Sequence, residues 1–130
     1  MSTPGLRPLR TWLPLLADLV CVLAFAFGGK NSHEAGDSDW IVLVIAWPFA
    51  LAAVLAHFGL LAKGRRALSI WPEGAVVVAT TYVLGMVLRV AAGRGIAVGF
   101  LIVAAIFLAV TMLGWRLVAG FIARRQTARA

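Results

Sequence analysis

Four stretches of about 20 almost entirely apolar residues follow one another along a chain of 130 residues, and this spacing limits the fold more than any other feature. A hydrocarbon layer about 30 Å thick is crossed by roughly 20 apolar residues in a helix. The stretches lie at about 12–28, 40–62, 74–92 and 96–122. They are apolar all round, whereas a helix in water keeps a polar face. With 62% hydrophobic and only 13% charged residues, the chain has too little polar surface for a soluble domain. Inside lipid every backbone N–H and C=O must find a partner within the protein, which makes each stretch a helix. The expected fold is therefore an all-α integral membrane protein, an antiparallel bundle of four transmembrane helices in one domain at 12–122. An N-terminal segment at 1–11 and a basic tail at 123–130 flank it.

The residues between the stretches agree with this division. Gly28-Gly29-Lys30-Asn31-Ser32 carries helix breakers and polar groups, and Asp37, Ser38 or Asp39 can cap the next helix. Lys63-Gly64-Arg65-Arg66 closes the second stretch. Pro72 suits a first helical turn, with Glu73 beside it near the positive end of the helix dipole. Gly93-Arg94-Gly95 is so short a turn that the third and fourth helices must pack as antiparallel neighbours.

Basic residues set the expected orientation, because they remain on the cytoplasmic side. Arg7, Arg10, Lys63, Arg65, Arg66, Arg116, Arg124, Arg125 and Arg129 fall on one side, and only Lys30, Arg89 and Arg94 on the other. Both termini are thus expected in the cytoplasm of a multi-pass protein of the cell membrane. The net charge of +7 reads as a topology signal, with the bilayer as partner and no nucleic acid, since the basic residues flank apolar spans and form no separate basic domain. The first stretch is expected to be retained: Asp18 interrupts it, and no small-x-small cleavage site follows. Cys21 is the one cysteine, so no disulfide forms within the chain, and it reads as a small hydrophobe.

Ionisable residues inside the stretches are the candidates for function or for structural pinning, because lipid rejects a charge by a few kcal/mol unless it finds a partner. Counted from the cytoplasmic ends, Asp18 lies about two turns deep, and His57 and Arg116 about one to two, so the three can share a layer. An Asp18 to Arg116 ion pair with His57 nearby would pin the first helix to the fourth. The alternative is a proton or ion relay in which Asp18 changes protonation during transport. Arg116 can snorkel to the headgroups, whereas Asp18 is too short to escape.

On the outer side Lys30, Arg89 and Arg94 face His33, Glu34, Asp37 and Asp39. Gly74, Val78, Thr81 and Gly85 form a small inward face that leads to Arg89, placing it to hold the first outer loop through Glu34 or an aspartate. A solvated charge cluster explains the same residues. Ala46, Ala50, Ala53 and His57 form a second small-residue stripe, and Pro48 removes a donor from the helix that carries it. Trp12, Trp40, Trp71 and Trp115 are expected at the interfaces as an aromatic belt.

No paired histidines at metal spacing, no phosphate loop and no nucleophile beside a base occur, so neither an enzyme nor a cofactor is expected within one subunit. Asp18 with Phe25, Phe27, Gly28 and His33, then Gly85-Met86-Val87-Leu88-Arg89, then Phe100 through Gly114-Trp115-Arg116 together resemble the domain of unknown function 3054 family. Its members are small bacterial and archaeal membrane proteins of four predicted helices. The resemblance runs from about Leu13 to Val118 and implies topology without implying an activity. Two readings stand: a structural or accessory membrane protein that recruits another membrane subunit, and a small homo-oligomeric transporter or channel with Asp18 as coupling carboxylate.

Overall fold

The computed structural model describes residues 7–32, 40–65, 70–95 and 97–129, with side chains described for residues 12–28, 42–65, 70–95 and 97–126. It is all-helical: α1 is Arg7–Ser32, α2 Trp40–Ala62, α3 Ala75–Ala91 and α4 Val98–Arg129. The second helix matches its expected range, while α1 and α4 run well past their apolar stretches. The segment 123–129, expected as a tail, continues α4. Its alanines, arginines and glutamine are strong helix formers, and hydrogen bonding does not stop where hydrophobicity does. At the other boundary α1 passes through Gly28 and Gly29. Each glycine costs about 1 kcal/mol inside a helix, a cost that lowers helix propensity without forcing a stop.

Among the described residues three segments are long and apolar enough to cross a membrane, Val42–Ala62, Ile70–Ala91 and Val98–Gln126. The part of α1 with described side chains, Trp12–Gly28, is apolar as well. Of the four expected spans, three are met by composition and length among the described residues, and α1 contributes the apolar segment Trp12–Gly28.

Two helices end in the same way. Gly64 (φ 70°) follows α2, and Arg65 N–H reaches back to Leu60 O at 2.8 Å; Gly93 (φ 83°) follows α3, and Arg94 N–H reaches Arg89 O at 3.0 Å. A left-handed residue is what lets the terminal carbonyls of a helix be satisfied this way, and glycine takes that conformation without a Cβ clash. Before α3 the chain makes a wide turn at Ile70–Gly74 in which Trp71 is extended (φ −136°, ψ 133°). A residue that precedes proline is driven to this region, so Pro72 begins the helical course of the chain. Arg65 and Glu73 meet across the α2 to α3 connection at 3.6 Å.

α2 packs against α1 and α3, and α4 against α1, α3 and the Ile70–Gly74 turn. The directions follow from the contacts. Asp18 of α1 meets His57 of α2, and Phe25, further along α1, meets Phe49, earlier on α2. α1 likewise runs against α4, where Asp18 meets Arg116 and Phe25 meets Phe107. Neighbours are antiparallel, as expected. Both small-residue stripes turn inward: Ala46, Ala53 and His57 on α2, Gly74 just before α3, and Thr81 and Gly85 on α3 are buried, with Ala50 and Val78 half-buried. Gly85 is needed there, since a Cβ at that position would collide with the Phe49 ring. The rings of Phe25, Phe49, Phe100 and Phe107 meet in the centre at centroid separations of 5.4–6.2 Å. Outside this core, large apolar side chains such as Leu16, Val20, Leu55, Val87, Ile106, Val110 and Leu117 are exposed.

Candidate functional site

Three helices bring their polar residues to one point. α1 supplies Asp18, α2 supplies His57 as the last member of its small-residue stripe, and α4 supplies Trp115 and Arg116. Asp18 has no exposed surface, Arg116 has 1% and His57 3%. The carboxylate accepts from four directions: Arg116 Nη1 donates to Oδ1 at 2.8 Å and Nη2 to Oδ2 at 2.7 Å, and Trp115 Nε1 donates to Oδ1 at 2.7 Å. His57 Nε2 lies 2.7 Å from Oδ2, and its tautomer is the one that carries a proton on Nε2 if this contact is a donated hydrogen bond. Arg116 Nη1 also donates to the carbonyl of Met112, one turn earlier, at 2.7 Å.

The fork of two parallel N–H···O bonds is the strongest geometry available to an arginine and a carboxylate. A buried charge without a partner costs several kcal/mol, whereas here each charge neutralises the other and the remaining lone pairs are filled. The expected layer of Asp18, His57 and Arg116 is thus assembled, and Arg116 turns inward instead of snorkelling.

Trp115 departs from expectation. The aromatic belt places it at an interface, but its indole N–H is held by Asp18 and its ring lies beside the Arg116 guanidinium, 4.5 Å from ring centroid to Cζ. An indole N–H buried in apolar surroundings needs an acceptor, and the carboxylate at its depth supplies one. Trp12 keeps a half-exposed position edge-on to Phe58, and Trp71 is 79% exposed, as a belt residue would be; the Trp40 side chain lies outside the described residues.

At the opposite end Arg89 donates from Nε to Gly95 O at 2.9 Å, which fastens the turn between α3 and α4, and its Cζ lies 4.2 Å above the Phe100 ring. Its Nη1 is buried with no hydrogen-bond partner among the described residues. His33, Glu34, Asp37 and Asp39, expected to face Lys30, Arg89 and Arg94, lie outside the described residues, and so does the side chain of Lys30. Arg89 and Asp18 belong to different sites: about 16 residues of α4, roughly 24 Å, separate Phe100 under Arg89 from Arg116 beside Asp18. Cys21 is half-buried and packs against the core, in keeping with a small hydrophobe. Among the described residues no three His, Cys, Asp or Glu side chains gather as metal ligands would.

A groove of about 410 Å³ runs along α4 from Arg116 to Arg124 and is bounded on its other side by Ile70. It reaches Arg116, while Asp18 behind that arginine stays sealed. The arrangement binds three helices through one carboxylate and offers no exposed acid, base or nucleophile at that carboxylate.

A family model described as protein of unknown function (DUF3054) matches residues 15–119, a range that holds Asp18, His57, Arg89, Trp115 and Arg116. No curated protein and no solved structure matches the chain.

Proposed function

The chain belongs to the DUF3054 family, and from that premise we propose that it is a non-enzymatic structural or accessory protein of the cell membrane. In this reading all four helices cross the bilayer with both termini in the cytoplasm. The three long apolar helices, their exposed apolar side chains and the basic residues gathered at one end support it. α1 is 26 residues long and extends about 39 Å, and pairing with Arg116 removes the charge that would exclude it. Its partners are the lipid bilayer and another membrane protein, or a second copy of the chain, seated on its apolar faces.

The observation that carries the proposal is the state of Asp18. A coupling carboxylate must exchange protons or ions, and for that it needs access to water and an incomplete shell of donors. Asp18 has four hydrogen bonds from three residues and no exposed surface. Such a group fixes helix register.

One observation favours a second reading, a small ion-coupled transporter: the groove along α4 brings solvent-sized space to Arg116, the immediate partner of Asp18. Purified wild type and Asp18→Asn in liposomes separate the two. The structural role predicts no pH-driven flux in either protein and a less stable bundle in the variant. Flux in the wild type that disappears in a variant of undiminished thermal stability would establish transport instead.

A further inference from the structure

The groove along α4 has the chemistry of an amphiphile's site. Arg116 and Arg124 stand two turns apart, about 12 Å, with Leu117, Phe121 and Ile70 supplying apolar walls between them. A small soluble anion prefers polar contacts on all sides, and these walls are hydrocarbon. An apolar ligand has no use for the arginines. A molecule with a negative head and an acyl chain satisfies both.

The surroundings give the sign. Lys63, Arg65, Arg124 and Arg125 are exposed around this end of the bundle. The two acidic residues described there are already engaged, Glu73 with Arg65 at 3.6 Å and Asp18 with Arg116. No described carboxylate is therefore set to receive the cationic head of a zwitterionic lipid. α4 runs as helix beyond Ile122 to Arg129, which carries Arg124 to the level where a phosphate lies when Leu117 and Phe121 are among acyl chains.

We propose that this groove binds one anionic phospholipid, its phosphate on Arg124 and the first methylenes of a chain along Leu117, Phe121 and Ile70. Arg116 stays committed to Asp18 and closes the deep end. The site rests on the membrane-spanning reading above. At about 410 Å³ the groove takes the head and the start of a chain, and the rest of the lipid lies along the exposed face of α4.

The test uses the full chain, delipidated in a neutral detergent and given phosphatidylglycerol, phosphatidylcholine or inorganic phosphate, with bound lipid counted by native mass spectrometry and thermal stability followed in parallel. Phosphatidylglycerol should be retained and should stabilise the bundle more than phosphatidylcholine does. Arg124→Gln should weaken its retention roughly fivefold, the loss of one juxtamembrane cation. Arg125→Gln should weaken it less, because Arg125 lies on the Phe121 ring, 4.8 Å from its centroid, and outside the groove lining. Both positions are exposed, so both variants should keep the wild-type helical signal. Equal retention of the two lipids, an Arg124→Gln variant that binds as wild type does, or equal stabilisation by inorganic phosphate would overturn the proposal. Alkaline carbonate washing of cell membranes judges the underlying reading separately: release of the chain by the wash refutes membrane insertion whatever the lipid result.

Discussion

A carboxylate sealed from solvent persists only where its oxygens are met by donors, and Asp18 meets Arg116, Trp115 and His57. Removing one partner of such a pair leaves the other charge buried and alone, at a cost of about 3–5 kcal/mol; removing both costs less than the sum. Arg116→Met and Asp18→Asn should each destabilise the bundle by that order, and the double variant should recover about 1–3 kcal/mol relative to additivity. Thermal or denaturant unfolding in micelles measures the cycle, and simple additivity would remove the pairing from the account. The pair was legible in the sequence because a charge in an apolar stretch has few ways to survive. Trp115 was not: tryptophans near the end of a stretch read as interface anchors, and nothing in their spacing says that one indole is turned inward. The signal that could have found it is its place directly before Arg116, which fixes its depth near that of Asp18.

At the scale of the helix, the close approach of α2 and α3 depends on a missing side chain at Gly85, over which the Phe49 ring lies. Gly85→Ala should cost about 1–3 kcal/mol through overpacking, despite the better intrinsic helix propensity of alanine. Phe49→Leu in the same chain should return part of that loss. Stability measured for the two single variants and the double variant decides, and a neutral Gly85→Ala would show that the helices separate without strain. The apolar stretches indicated where helices lie but not how far they run, since a helix is bounded by its hydrogen bonds and hydrophobicity fades earlier. Gly64 and Gly93 were the exceptions, legible stops because a positive φ is accessible to glycine. The inward stripes of α2 and α3 were equally legible, as helical spacing alone puts small residues on one face.

For the whole molecule, the proposed topology has an even number of crossings, so both ends must emerge on one side. A green fluorescent protein fused after Ala130 should fluoresce in cells, and alkaline phosphatase fused at the same place should stay inactive. The reverse pattern would overturn the orientation drawn from the basic residues. The antiparallel packing of α3 and α4 was foreseen from the short Gly93-Arg94-Gly95 turn, but the meeting of four phenyl rings was not, since Phe25, Phe49, Phe100 and Phe107 are distant in the chain and share no motif. These rings lie between the sealed acid of one end and the Arg89 guanidinium of the other, and they act as the dielectric of a small capacitor. Hydrocarbon holds no mobile charge and screens poorly, so a charge stranded among the rings would be costly. In the proposed structural role a single copy of the bundle is an insulator along its axis, and transport, were the liposome experiment to find it, would have to run between copies.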